Sequence, residues 1–209
     1  MSKKCEHSWE RVDRSPEGMR ISYYYYQCNN PKCSKVIYPI DQLNILMEYA
    51  EEHQFLFLED WMLILFYALP ESNIVGWTSL QKQVFLLMIE FAQKEHIPTE
   101  NIGFYAYDYG PYDDRITDAL NVMIHDGLIE KQGKYSPMKT RFIITQEGMK
   151  RGEESFAKLT VNQKEKLIEL RKEYQMWGIS GLLKYVYTNY PEYTTESKIR
   201  RKVLGLRKK

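Results

Sequence analysis

The sequence predicts a mainly α protein: a winged-helix-like helical domain with a small β-hairpin wing, preceded by a small β zinc ribbon. Three observations predict it. Gly110-Pro111 breaks the chain ahead of a helical pattern in which Ile116, Ala119, Leu120, Met123 and Ile124 recur at three and four. Gly127 follows, where a helix stops in a left-handed cap. Two apolar runs come next, Leu128-Ile129 and Arg141-Phe142-Ile143-Ile144-Thr145, separated by the turn Ser136-Pro137-Met138-Lys139. Near the start, Cys5 and His7, then Cys28 and Cys33, bracket two strand-like runs.

The chain divides into a zinc ribbon over residues 1–40, a linker helix over 41–58 and the helical domain over 59–209, which ends in further helices and a basic tail. In the ribbon, Trp9 to Val12 and Ile21 to Gln27 are the candidate strands, joined by a stretch rich in turn formers. Residues two apart on a strand share a side, so Cys5 and His7 can reach one metal. Cys28 and Cys33 flank the tight turn Asn29-Asn30-Pro31. Three thiolates and one imidazole make the tetrahedral set that Zn²⁺ prefers in closed sites; the metal would be structural, with no position open for catalysis. The alternatives are three free thiols or a Cys28–Cys33 disulfide. Tyr23 to Tyr26 supply bulk around the metal or, beside Arg20, Lys32 and Lys35, a stacking platform for bases.

Asp41 to Glu52 reads as a helix with Leu43, Leu46, Met47 and Ala50 on one side, and Glu59 to Leu69 as a second, strongly apolar one ended by Pro70. Pro70 to Trp77 is a loop. Thr78 or Ser79 then caps a helix from Leu80 to about Lys94, whose wide stripe of Leu80, Val84, Leu87, Met88 and Phe91 predicts burial. Pro111 suits the first position of the next helix. Gln146 to Lys158 is a mixed helix. Thr160 and Gln163 form a capping box opening a helix to about Tyr174; Ser180 starts another, stopped by Pro191, and Thr195 caps a last one carrying Ile199 and Val203. His53, His96 and His125 share no metal spacing.

The net charge of +1 conceals an asymmetry. Residues 55–126 hold three basic residues (Lys82, Lys94 and Arg115) against eleven acidic ones, and residues 127–209 hold nineteen against nine. Such polarity suits an anionic partner, or else the two halves attract each other in the fold. No apolar run reaches the roughly 18–20 residues of a membrane span. The N-terminal Met1-Ser2-Lys3-Lys4 has no apolar stretch behind it, and three cysteines form no disulfide framework. The protein is therefore expected to be cytoplasmic and reduced, with no membrane association.

Asp60-Trp61-Met62-Leu63-Ile64-Leu65-Phe66-Tyr67-Ala68, followed by the run from Thr78 to Leu87, then Phe104-Tyr105-Ala106-Tyr107-Asp108-Tyr109-Gly110-Pro111, then the run from Leu182 to Ser197, resemble segments of the Panacea domain of antitoxins and its uncharacterised prokaryotic relatives. The resemblance covers about two thirds of the chain. It implies a mainly helical, winged-helix-like domain whose toxin–antitoxin members act by binding proteins, and it supplies no catalytic residues. The N-terminal ribbon is a departure, since the usual domain lacks it.

Function is predicted on these grounds to be nucleic-acid binding, with DNA as the expected partner and a regulatory role. Lys131, Lys134, Lys139 and Arg141 sit on the wing, with Lys150 and Arg151 just beyond, and Arg200, Arg201 and Lys202 begin the basic tail. The helix expected to enter a groove instead carries Asp113, Asp114, Asp118 and Asp126, which phosphates repel. The alternative is a protein-interaction module, an antitoxin-like partner or adaptor whose acidic stretch faces a basic protein. Paired carboxylates, nucleophile–base sets and phosphate loops are missing from the sequence, so no enzyme activity and no small-molecule substrate are inferred.

Overall fold

Residues 8–14, 23–30, 36–52, 55–100, 102–133 and 139–206 are described by the computed structural model, and they make a mainly helical protein with small antiparallel sheets. The first sheet has the order β1 (Trp9–Arg14), β2 (Tyr23–Cys28), β3 (Val36–Ile37), the last a short strand the sequence did not mark. Strand alternation sends Tyr23 and Tyr25 inward, where they meet Leu46 of α1 (Ile40–Glu52) and Phe55. Tyr24 and Tyr26 face the other way, and the Arg11 guanidinium lies 3.9 Å from the Tyr24 ring centre. The predicted apolar side of α1 is only partly used. Leu46 is buried and Gln42 accepts the Tyr24 N–H at 3.0 Å, while Leu43 and Met47 stay exposed. A sheet whose third strand has two residues covers little more than one line of a helix.

Helix α2 (Leu58–Tyr67) is apolar on nearly every side because neighbours enclose it: Trp61, Met62, Leu63, Ile64, Leu65 and Phe66 are all buried. The predicted loop after it holds a two-residue strand, β4 (Ile74–Val75), too short to carry a periodicity. Gly76, at φ 84°, donates its N–H to the Thr140 carbonyl at 2.7 Å and starts α3 (Trp77–Leu86). The predicted caps Thr78 and Ser79 therefore lie inside the helix. A π-helical segment, Leu87–Ala92, continues it.

Pro111 does not open a helix. It lies in β6 (Gly110–Tyr112), opposite Ala106 of β5 (Tyr105–Tyr107), and Asp113 caps α4 (Asp114–His125) by accepting the Arg115 N–H at 2.8 Å. Gly110 has φ 89°, and a Cβ there would stand 3.0 Å from the Tyr187 ring, so both conformation and space require glycine. Gly127 ends α4 as predicted, at φ 72°, and Leu128 donates back to the Met123 carbonyl. Strands β7 (Ile129–Gln132) and β8 (Arg141–Ile144) follow in antiparallel register, with β4 on the far side of β8.

Helix α5 (Gln146–Ala157) packs on α2 through Gly152, against Tyr67, and Ser155, which donates to Asp60, while its Gly148 lies against the Leu128 carbonyl. The Thr160–Gln163 capping box forms as predicted and opens α6 (Val161–Asn189). The two predicted helices are joined in α6 across a break at Gly178 (φ 54°, ψ −171°), where Trp177 stacks on Tyr185. Thr195 opens no helix: it closes a 3₁₀ turn, Pro191–Thr194, and the short α7 (Arg200–Val203) is capped by Ile199. Among the described residues no helix is long and apolar enough to cross a membrane.

Candidate nucleic-acid interface

The β7–β8 hairpin carries Lys131 near its outer end, 5.6 Å from the Trp77 ring centre, while Arg141 begins the return strand opposite Gln132 and Lys139 lies two residues before it. Lys131, Lys139 and Arg141 are exposed; Lys134 lies outside the described residues. Arg201 and Lys202 are exposed on α7, and Arg200 is half-buried. Ile199, Val203 and Leu204 fix that helix on a core built by Phe85, Tyr174, Leu182 and Val186.

Five other cations of the basic half are paired with carboxylates. Lys158 meets Asp60 at 3.2 Å, Lys166 meets Glu95 at 2.7 Å and Lys198 meets Asp108 at 2.5 Å. All three pairs join the basic half to the acidic half, so mutual attraction within the fold accounts for part of the asymmetry. Lys150 and Arg151, just beyond the wing, pair with Glu147 and Glu154 on their own helix. Among the described residues, Lys131, Lys139, Arg141, Arg200, Arg201 and Lys202 make no ion pair.

The carboxylates of α4 are not all on one face. Asp113 is fully buried; it holds Arg115 at 3.2 Å, and Arg115 also reaches Glu100 at 3.1 Å. Burial pushes the Glu100 carboxyl up to about 7, against the pull of Arg115 and of the Leu58 N–H. Asp118 and Asp126 are exposed, with Asn121, Val122 and His125 between them, and Asp114 is half-buried. Among the described residues this helix therefore presents no exposed Lys or Arg to a phosphate.

At the N-terminal sheet, Cys28 is buried at the end of β2, opposite Trp9, and Asn29 donates its N–H to the Ser8 carbonyl at 3.0 Å. The chain thus enters β1 and leaves β2 at one end of the sheet. In sequence, Cys5 and His7 precede that entry and Cys33 follows that exit, an arrangement that fits a four-ligand metal site. Cys5, His7 and Cys33 themselves lie outside the described residues, as do Arg20, Lys32 and Lys35. Among the described residues no cluster of three His, Cys, Asp or Glu side chains could hold a metal.

Three further residues had no signal in the sequence beyond their identity. Lys82 is buried on α3 and donates to the Pro111 carbonyl at 2.7 Å, and burial lowers its amine to about 7. Arg171 is buried on α6 and donates to the carbonyls of Leu65 and Ser72. Glu90, in the π-helical segment, accepts the hydroxyls of Tyr185 and Tyr190. The segments around Lys82, Gly110 and Tyr187 meet in one cluster, where Phe85 touches Phe104 and Tyr190, and Ser197 donates to the Asp108 carbonyl.

No family model, curated protein or solved structure matches this chain.

Proposed function

We propose that this protein binds nucleic acid, as a DNA-binding regulator, through a winged-helix-like domain carrying a structural zinc ribbon. The observation that carries the reading is the set of unpaired cations on the hairpin and on α7. Lys150, Arg151, Lys158, Lys166 and Lys198 are matched by carboxylates, whereas the wing residues Lys131, Lys139 and Arg141 and the α7 residues Arg200, Arg201 and Lys202 are not, and among the described residues neither are Lys164, Lys172 and Lys184 of α6. Unmatched surface cations on a hairpin suit phosphate oxygens, which supply most sequence-independent affinity. A helix feeding a two-stranded wing, with the short β4 closing the sheet beyond β8, supports the winged-helix-like fold. The convergence of the segments around Lys82, Gly110 and Tyr187 in one cluster supports kinship with the Panacea domain, since all three belong to stretches that carry the resemblance.

Fluorescence anisotropy with a random duplex oligonucleotide at two salt concentrations tests this. Binding that falls steeply with salt is expected. No binding at low salt would turn the reading to its alternative, a protein-interaction module such as an antitoxin-like partner. One observation favours that alternative: the outward residues of α4 include Asp118 and Asp126 and no Lys or Arg.

A further inference from the structure

The β5–β6 hairpin sets three tyrosine rings against one another beside α4. Tyr105 lies 5.8 Å from Tyr107 and 5.8 Å from Tyr112, centre to centre, and Tyr107 lies 5.0 Å from Tyr112. The Tyr112 hydroxyl and the Thr117 hydroxyl are 3.2 Å apart, which fixes this array to the first turns of α4. Tyr107 is 40% exposed, and Tyr109, at the hairpin tip, is 48% exposed. The surface continues along α4 through Asp118, Val122, which is 57% exposed, and Asp126. Of the nearby cationic groups, Arg115 points inward to Asp113 and Glu100, Lys198 is held by Asp108 between Tyr107 and Tyr109, and the His125 ring lies 3.0 Å from Asp126.

We infer that this aromatic and acidic face is a docking surface for a cationic segment of a partner protein, with arginine side chains over the exposed tyrosines and their charge facing Asp118 and Asp126. Charge decides the class of occupant. Carboxylates repel a nucleic-acid backbone and attract Lys and Arg, and exposed tyrosine faces add a cation–π attraction that favours Arg. Tyrosine is also a residue that protein interfaces concentrate, because it offers a large, rigid contact with a polar tip. The face is distinct from the wing, so the inference goes beyond DNA binding; it makes the protein-partner alternative more specific and rests on it only in needing a protein.

The test uses the full chain, labelled with ¹⁵N and titrated with two peptides of equal length and charge, one with arginine and one with lysine as its cation. Saturable shifts at the amides of Tyr107, Tyr109, Asp118 and Val122 are expected, with the arginine peptide at least about threefold tighter. The double variant Y107A/Y109A, whose side chains are exposed and whose fold is checked by its melting curve, should bind the arginine peptide about tenfold more weakly. D118N should weaken both peptides and flatten their salt dependence. Equal affinity for the two peptides, unaltered binding by Y107A/Y109A, or shifts spread over acidic residues elsewhere would each overturn the proposal. So would shifts at the same amides on adding duplex DNA, or on concentrating the protein alone, which would make nucleic acid or a second copy the occupant. A stoichiometric protein partner held equally by wild type and Y107A/Y109A would leave the interaction-module reading standing and overturn only this surface.

Discussion

The Lys82 ammonium donates to the Pro111 carbonyl at 2.7 Å, a bond buried between α3 and the β5–β6 hairpin. Desolvation lowers the amine to about 7, whereas a lysine in an unfolded chain titrates near ~10.4. Between those values the unfolded state holds the extra proton, so this residue makes stability rise with pH and takes it away as pH falls towards 7. Glu100 acts in the opposite sense. Its folded value, about 7, lies above the ~4.3 of an unfolded glutamate, so between them the folded state holds the proton and stability falls as pH rises. The two arms meet near neutral pH. Urea unfolding should therefore give a difference between wild type and K82M that grows from pH 7 to pH 9, by on the order of 1 kcal/mol per pH unit at most. The difference between wild type and E100Q should change instead between pH 5 and pH 7. Parallel curves for wild type and K82M across the alkaline arm would refute the assignment.

Among the described residues Arg171 faces no carboxylate; its Nε and Nη2 donate to the carbonyls of Leu65 and Ser72 at 3.1 and 3.2 Å. Leu65 belongs to the last turn of α2, so the negative end of that helix serves as the counter-charge. Burial lowers the guanidinium to about 10, which leaves it charged at neutral pH. Arg171→Ala should lose about 3 kcal/mol, from two stranded carbonyls and a cavity, and Arg171→Met, which keeps most of the packing, about 2 kcal/mol. Equilibrium denaturation measures both. Losses below about 0.5 kcal/mol would mean that the carbonyls find water instead.

What the sequence made legible were features whose signal is local. The periodicity of α4, the Gly127 cap, the β7–β8 strands and the Thr160–Gln163 box all formed as their residues predict. Misjudged were places where a distant partner decides. Gly76, not Thr78 or Ser79, starts α3 because its N–H reaches Thr140; Pro111 stays in a strand because its carbonyl is wanted by Lys82. Asp113 looked like one of four outward carboxylates and is buried, since Arg115 folds back over it. At the candidate interface the basic residues were readable, but which of them remained unpaired was not, because Asp60, Glu95 and Asp108 lie roughly 70–100 residues away from their lysines.

The glycines separate two costs. At Gly148 an added Cβ would overlap the Leu128 carbonyl oxygen, an atom of the backbone that cannot swing aside. At Gly127 nothing lies within 4 Å of such a Cβ, and only the φ of 72° opposes it. Gly148→Ala should therefore cost about 2–3 kcal/mol, as overpacking does, and Gly127→Ala about 1 kcal/mol, as left-handed strain does. Thermal melts that rank the two the other way would contradict the close approach of α5 to the start of β7.

If the wing holds phosphates, reversing its charge should act on affinity and on salt dependence together. Lys139→Glu/Arg141→Glu should bind random duplex DNA more weakly at low salt, and the slope of log affinity against log salt should fall by about 2. The fold should be untouched, since both side chains are exposed and unpaired among the described residues. The same double substitution leaves the tyrosine face of β5–β6 alone, so a lost protein partner would not follow from it. Unchanged DNA affinity in the double variant would remove the wing from the interface.

The proposed zinc site makes the last prediction. Cys28 is buried where β2 ends beside the start of β1, and the Asn29–Ser8 hydrogen bond holds those two strand ends together. A ribbon with Cys5, His7, Cys28 and Cys33 as ligands should bring roughly one zinc per chain through purification, measured by emission spectrometry. Structural zinc supplies on the order of 10 kcal/mol in small zinc-finger peptides, far more than the few apolar residues between this sheet and α1 can replace. Cys28→Ser or a strong chelator should therefore release the metal and abolish protection of the β1–β2 amides from exchange. The helical domain should survive, because its largest core, built on α2, α3 and α4, includes no residue of the ribbon. Metal-free protein with protected β1–β2 amides would refute the zinc ribbon, and a mass change on reduction would point to the Cys28–Cys33 disulfide in its place.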